Sequence, residues 1–201
     1  SQKELPAGLP PREEVIAYYN TRAPEGLPGL SHTVGKRSPA LSFDPVGVRI
    51  GGLEPYPGVS STRLVKLSRD DRFDLLICEM RFGMVLAAKP YLEPLELRVL
   101  GRCDNPCTAE VIDLDQDGTR DLLVAVLEQR TASDVENGKV LWFRGDAKGD
   151  FTVVPLAEGL GRVAHCQAAD FDDDGDLDVV VAVFGWRKVG NILLLENETS
   201  D

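Results

Sequence analysis

The hydrophobic residues of this chain fall into short runs that predict β-strands. In the middle of the chain, four runs rich in Val and Leu are separated by turns that contain Gly and Asp. They cover residues 109–113, 121–127, 139–144 and 151–156. Short runs bounded by turn residues are typical of strands. The pattern therefore predicts a four-stranded sheet.

A related pattern occurs three times along the chain. Residues 111–126 align without gaps with residues 168–183, and residues 64–79 form a weaker copy. The last aspartates of the three copies, Asp74, Asp121 and Asp178, are 47 and 57 residues apart. Periods of about 40–50 residues are typical of β-propeller blades, each a four-stranded sheet. We therefore predict an all-β fold with about three four-stranded blades of a partial propeller. The blades are expected at about residues 60–105, 106–160 and 161–201, and the third repeat supplies only three predicted strands.

The N-terminal part of the chain has a different composition. Of the 13 prolines, 12 come before residue 107. One short helix is predicted at about residues 11–20, where Pro11 begins the segment and acidic residues fill the first turn. We predict an extended, proline-rich arm over residues 1–58 and the blades over residues 59–201. Tyr18 and Tyr19 are candidate anchors for a partner; alternatively they pack the helix onto the blades.

Two loops with identical acid spacing carry the candidate chemistry. The second and third repeats both contain Asp-x-Asp-x-Asp-Gly-x-x-Asp. Calcium takes about 6–8 oxygen ligands, and carboxylates at loop positions 1, 3 and 5 converge when the chain curls around the ion. Glycine at position 6 allows the sharp turn, and the carbonyl of position 7 then points inward. We predict two Ca²⁺ sites, with these ligands: Asp113, Asp115, Asp117, Thr119 and Asp121, and Asp170, Asp172, Asp174, Asp176 and Asp178. Thr119 and Asp176 contribute backbone carbonyls, and the side chain of Asp176 is expected to face solvent.

Position 12 distinguishes these loops from the helix–loop–helix calcium motif, which needs Glu there and a helix after it. Here position 12 is Val124 or Val181, each within a predicted strand. The closing acid comes at position 9 instead. In the first repeat, Lys66 replaces the first carboxylate and Asp74 keeps the closing acid. That repeat is therefore predicted to keep the fold without a metal.

The charge of the chain disfavours two classes of binding partner. The net charge is −11, from 33 acidic and 22 basic residues. This balance disfavours nucleic acid and an anionic membrane surface, both of which attract clustered Lys and Arg. The chain has no apolar run of about 18 residues or more that would predict a transmembrane helix. Neither of these two partner classes is therefore expected.

The sequence lacks the motifs of common catalytic sites. It has two histidines, His32 and His165, and neither Gly-x-Ser-x-Gly nor a phosphate-binding loop. A structural role is expected for His165, and we expect that the chain is not an enzyme. Among the four cysteines, Cys78 is expected to be a small buried hydrophobe. Cys103 and Cys107 flank a turn-like Asp-Asn-Pro and are a candidate disulfide in an oxidising compartment.

These motifs resemble the FG-GAP/VCBS repeat family of β-propellers, which includes the head of the integrin α-subunit. The resemblance covers about residues 60–197, and Phe184-Gly185 lies where the Phe-Gly of the family name is expected. Residues 184–197 and 17–25 also look like parts of long bacterial VCBS proteins, some of them fused to c-type cytochrome domains. The resemblance implies that the loops bind Ca²⁺ and that the protein serves recognition or assembly. It also implies an extracytoplasmic location, periplasmic or secreted, with a signal peptide already removed.

The resemblance also bears on partners, because propellers close with about 4–8 blades. The open blade edges must be covered by a partner, by self-association or by residues missing from this sequence. We predict a non-catalytic scaffold or interaction subunit of an extracytoplasmic assembly, for which an electron-transfer complex is one candidate. The alternatives are an adhesion or carbohydrate- or protein-recognition module, and a propeller-based hydrolase or lyase. Trp186 and Arg187 are candidate partner contacts, or else part of a charged turn.

Overall fold

A computed structural model of the chain describes residues 58–68, 70, 72–90, 97–128, 134–185 and 191–198. All of them belong to one compact unit, Gly51–Asp201. The predicted arm and its helix at residues 11–20 lie outside the described residues, as do Tyr18, Tyr19, Trp186 and Arg187. The predicted boundary after residue 58 stays a prediction.

The described residues form three antiparallel sheets, in which each strand pairs with its neighbours in sequence. The first sheet contains β1 (Val59–Val65), β2 (Asp74–Glu79), β3 (Met84–Ala88) and β4 (Leu97–Arg102). The second contains β5 (Pro106–Ile112), β6 (Asp121–Val126), β7 (Gly138–Gly145) and β8 (Phe151–Leu160). The third contains β9 (Arg162–Ala169), β10 (Asp178–Phe184) and β11 (Asn191–Leu195). This arrangement confirms the predicted all-β fold of partial propeller blades. Within the described ranges, no helix could cross a membrane.

The second sheet lies between the other two, and this explains the sequence of its strand β6. Every residue of β6 is buried. Leu122 and Val124 pack towards the first sheet, whereas Leu123 and Ala125 pack towards the third. A strand that is covered on both faces reads as a continuous apolar run instead of an alternating one. Strand β10 contains a similar continuous apolar run, which predicts that both of its faces are covered as well.

Two hydrophobic clusters hold the three sheets together side by side. The cluster between the first and second sheets is built around Phe143 and Leu76, both almost fully buried. The ring of Phe143 lies so close to Gly101 that a Cβ there would be 2.3 Å from its Cε2 atom. The cluster between the second and third sheets contains Val163 and Val181. Along one side, β5 packs against both β1 and β9, as expected when the first strands of blades line an axis.

Candidate metal centres

The loop between β5 and β6 brings three carboxylates together. One oxygen from each of Asp113, Asp115 and Asp117 lies within 4.8 Å of the other two. The turn depends on Gly118, whose φ of 84° lies in the left-handed region that side chains rarely adopt. Gly118 N donates a hydrogen bond to Asp113 Oδ2 at 3.0 Å, and Thr119 N donates one to Asp117 Oδ1 at 2.7 Å. The backbone itself therefore positions the carboxylates at loop positions 1 and 5.

The loop between β9 and β10 repeats this geometry. Asp170, Asp172 and Asp174 form the second group of carboxylates with oxygens within 4.8 Å. Gly175 has a φ of 99°, and its N–H donates to Asp170 Oδ2 at 3.1 Å. Asp176 N donates to Asp174 Oδ1 at 3.0 Å. Both loops thus make the same two hydrogen bonds at the same positions, so the shared spacing in the sequence reflects one shared loop conformation.

The chemistry of both loops fits a hard divalent cation. Asp113 Oδ1 is buried and has no hydrogen-bond partner among the described residues, so a carboxylate oxygen is available inside the loop. In the other loop, desolvation and the nearby charge of Asp174 raise the pKa of Asp172 above its ordinary value. Like charges at this distance repel each other, and a cation bound between them would remove that repulsion. Carboxylate oxygens are the ligands that Ca²⁺ prefers.

The closing aspartates have a structural role that the sequence analysis missed. Asp121 is fully buried, and its two carboxylate oxygens accept hydrogen bonds from Leu114 N at 3.1 Å and Gly145 N at 2.7 Å. Asp178 makes the corresponding bonds with Phe171 N at 3.0 Å and Asn197 N at 2.9 Å. Each closing carboxylate therefore ties its acidic loop to the end of the third strand of the sheet.

The loop carboxylates of both predicted ligand sets converge, and metal binding by either set stays a prediction. Asp121 and Asp178 lie outside the two groups of converging oxygens. A carboxylate oxygen that accepts one hydrogen bond keeps a second lone pair, so their direct ligation stays a prediction. Ligation by the carbonyls of Thr119 and Asp176 is also untested.

The side chain of Asp176 was predicted to face solvent, and that prediction is wrong. Asp176 is only 5 % exposed. The neighbouring acidic loop contacts this turn, since Gln116 Nε2 donates a hydrogen bond to Gly175 O at 2.7 Å. The contact between two loops of adjacent sheets could not be read from either repeat alone.

In the first sheet, a lysine ammonium contacts three residues of the loop that corresponds to the acidic loops. Lys89 Nζ is 2.7 Å from Ser68 Oγ, 2.8 Å from Asp74 Oδ1 and 3.3 Å from Asp70 Oδ2. Lys66, which the sequence analysis singled out, instead lies over the ring of Phe73 at 6.0 Å. The sequence feature that points to Lys89 is its place directly after the third strand of its sheet. Its partner Ser68 lies 21 residues away in the sequence.

The predicted disulfide is not formed, and Cys103 and Cys107 are free thiols. Their side chains belong to different environments: Cys103 packs against the cluster between the first and second sheets, and Cys107 against the cluster between the second and third. Asn105 between them has a φ of 51°, which turns the chain. Cys78 is buried as predicted.

His165 in β9 lies next to the second sheet. Its Nδ1 is 3.3 Å from the hydroxyl of Thr108 in β5. The first strands of two adjacent sheets therefore meet at this histidine. This contact is compatible with the structural role that was predicted for it.

The comparisons with known proteins agree with this architecture. The family model described as FG-GAP-like repeat matches residues 104–181. This match begins just before β5 and ends within β10, so it contains both acidic loops. A search of the curated proteins found no match to the chain. Over the region that contains both acidic loops, the chain is thus similar to FG-GAP-like repeats.

Proposed function

We propose that the chain is a calcium-binding β-propeller module that acts as a non-catalytic scaffold in an extracytoplasmic protein assembly. The observation that carries the proposal is the identical convergence of three carboxylates in two neighbouring loops.

Calcium suits the two loops better than other common cations. Each loop offers oxygen ligands alone, which favours Ca²⁺, Mg²⁺ or Mn²⁺ over the soft metals that prefer thiolates. Mg²⁺ demands a small, near-ideal octahedral shell, whereas Ca²⁺ accepts flexible coordination with carboxylates and backbone carbonyls. The buried, unpartnered oxygen of Asp113 adds a ligand that points away from water. Bound calcium would tie each loop to the adjoining strands and stiffen the blade.

The third sheet has exposed apolar residues at the positions that the second sheet buries against its neighbour. In the second sheet, Leu123 pairs with Trp142 across β6 and β7, and Leu123 is fully buried against the third sheet. The corresponding pair in the third sheet is Val180 and Leu194, which are 42 % and 43 % exposed. Ile192 beside them is 81 % exposed. An apolar sheet face of this kind favours packing against another protein surface.

A partner with a complementary apolar sheet face is therefore part of the proposal. The occupant takes the place of the next blade, and an electron-transfer complex is one assembly in which such a scaffold would serve. This last suggestion rests on the resemblance to bacterial proteins fused to cytochrome domains.

The proposed extracytoplasmic location follows from the type of calcium site. The loop carboxylates are largely exposed, and open sites of this kind suit the millimolar calcium that is found outside cells. No catalytic role is proposed, because the acids that converge in the described residues are those of the calcium loops.

Native mass spectrometry of the protein isolated from its source tests the proposal. In calcium buffer we expect two calcium ions per chain and a mass that includes a partner. Ile192→Ser with Leu194→Ser should release the partner and keep both ions. Val99→Ser with Val153→Ser, at exposed apolar positions of the other two sheets, is the matched control and should keep the partner. A calcium-free chain of 21.9 kDa without any partner would overturn the proposal.

A further inference from the structure

One position recurs beside all three loops; its residue is positively charged in the first two sheets and negatively charged in the third. In each sheet, the residue after the closing aspartate pairs with a residue near the end of the third strand. The position in question comes directly after that partner. In the first sheet Leu75 pairs with Ala88, and Lys89 follows. In the second, Leu122 pairs with Phe143, and Arg144 follows. In the third, Val179 pairs with Leu195, and Glu196 follows. We call this residue the flanking position.

In the first sheet, the flanking residue supplies a cation from the chain itself. The ammonium of Lys89 contacts Ser68 and Asp70, which hold loop positions 3 and 5, and it also contacts the closing acid Asp74. The residue after Lys89 is Pro90, which has no N–H. At that place the other sheets use Gly145 N or Asn197 N to bind the closing carboxylate. Lys89 therefore replaces a backbone donor and brings a positive charge to the acids of the loop.

In the second sheet, the flanking residue contacts the same two loop positions. Arg144 Nη2 lies 2.8 Å from Asp115 Oδ2 and 3.9 Å from Asp117 Oδ2. The guanidinium also lies over the ring of Trp142 at 5.3 Å, which favours this orientation. Asp115 and Asp117 are two of the three converging carboxylates. A positive charge on them competes with an incoming calcium ion.

In the third sheet, the flanking residue is an acid. Glu196 is exposed and lies at the end of β11, one residue before Asn197, which binds the closing Asp178. At this position the third sheet therefore carries a negative charge, where the first two sheets carry a cation that contacts the loop. The three sheets therefore form a series, with an ammonium inside the first loop, a guanidinium beside the second and a carboxylate near the third.

We propose that the flanking position sets the order in which the loops bind cations: the third loop binds Ca²⁺ more tightly than the second, and the first takes none because Lys89 is its cation. This inference rests on the proposed calcium binding. A unit charge about 6 Å from a divalent ion changes its affinity by about tenfold in water. Screening by salt reduces the effect, so we expect about three- to tenfold for the loss of Arg144.

Calorimetric calcium titrations of the full chain can examine one loop at a time. Asp172→Asn disables the third loop and leaves the second, and Asp115→Asn does the reverse. The third loop alone should bind at least about tenfold more tightly than the second alone. Adding Arg144→Gln to the Asp172→Asn chain should raise the affinity of the second loop about three- to tenfold. Adding Glu196→Gln to the Asp115→Asn chain should weaken the third loop.

Arg98→Gln is the matched control. Arg98 has the same side-chain exposure as Arg144, 51 % against 52 %, and it pairs with Asp150, outside both acidic loops. Its replacement should change the calcium affinity by less than twofold. Lys89→Gln should lower the urea midpoint equally in calcium and in chelator, without any change in the number of calcium ions bound.

The outcomes separate the two proposals. Equal affinities of the two loops, together with no gain from Arg144→Gln, would overturn the role of the flanking position and leave calcium binding standing. A gain from Arg98→Gln as large as that from Arg144→Gln would also overturn it, because general charge would then explain the effect. Absence of calcium binding in both single-loop chains would overturn both proposals.

Discussion

Replacement of Asp121 by Asn separates the structural role of the closing aspartate from any role in metal binding. Asp121 is fully buried, and its carboxylate accepts N–H groups from Leu114 and Gly145. Asn is nearly isosteric, but it has one acceptor oxygen, and its NH₂ group would face a backbone donor. One of the two hydrogen bonds is therefore lost, and a buried N–H is left without a partner.

The expected cost follows from these two losses. Hydrogen bonds to charged groups contribute about 1.5–3 kcal/mol, and an unsatisfied buried donor costs about 1–3 kcal/mol. Since the two effects overlap, we expect Asp121→Asn to lower the free energy of unfolding by about 2–4 kcal/mol. The loss should be present in chelator, because it does not depend on an ion.

Urea denaturation followed by tryptophan fluorescence provides the assay, since Trp142 lies in the same sheet. Asp117→Asn is the control within the same loop. Its side chain is 39 % exposed and lies 3.9 Å from Arg144, and the amide oxygen of Asn can still accept the hydrogen bond from Thr119 N. In chelator it should therefore cost less than about 1 kcal/mol. Asp117→Asn should instead abolish the stabilisation that calcium gives through this loop. Equal stability of the Asp121→Asn and parent chains in chelator would refute the anchoring role.

Three further predictions concern buried ionisable groups outside the calcium loops. Burial alone raises the pKa of Asp74, but hydrogen bonds from Lys89 and Ser68 outweigh it and hold the pKa below the ordinary value of 3.8. The charged Asp74 therefore stabilises the fold above pH 3.8 and loses this effect as the pH falls through its folded pKa. In urea titrations, Asp74→Asn should therefore lose less free energy of unfolding, relative to the parent chain, at pH 3 than at pH 6. Burial raises the pKa of Cys78 to about 11 and those of Cys103 and Cys166 to about 12; a thiol reagent at pH 8 should therefore label the folded chain less than about a tenth as fast as the urea-unfolded chain, and equal rates would contradict this. Glu79 is fully buried and accepts N–H groups from Gly58, Arg81 and Phe82 at 2.5, 3.1 and 2.6 Å, so Glu79→Gln should lower the free energy of unfolding by about 2 kcal/mol in urea titrations, whereas an unchanged midpoint would contradict the role of these bonds.

The strands and loops could be predicted from the sequence because their signals are local. Residues 121–127 form an apolar run bounded by turns, and the observed strand β6 covers nearly the same residues. The spacing around Gly118 and Gly175 likewise predicts a loop whose conformation depends on a positive φ. Each of these features is decided within a few neighbouring residues.

The roles of Asp121 and Lys89 could not be predicted, because their partners are distant in the sequence. Gly145 lies 24 residues from Asp121, and Ser68 lies 21 residues from Lys89. These contacts depend on the register between the second and third strands of a sheet, which the repeat pattern does not specify. The register also explains why Lys89, which is not in the aligned position of the repeat, contacts Asp70 and Asp74.

The disulfide prediction failed for a related reason. Cys103 and Cys107 are close in sequence, but Asn105 turns the chain between the end of one sheet and the start of the next. The two thiols then enter different hydrophobic clusters. Sequence separation alone carries no information about which sheet interface a side chain enters.

Calcium stoichiometry decides whether the two acidic loops are metal centres. The full chain, freed of metal by a chelator and then dialysed, should bind two calcium ions in an isothermal titration. Asp115→Asn or Asp172→Asn should each remove one of these ions, and the double variant should bind none. A parent chain that binds no calcium, or a double variant that still binds two ions, would contradict the assignment of these loops as calcium sites.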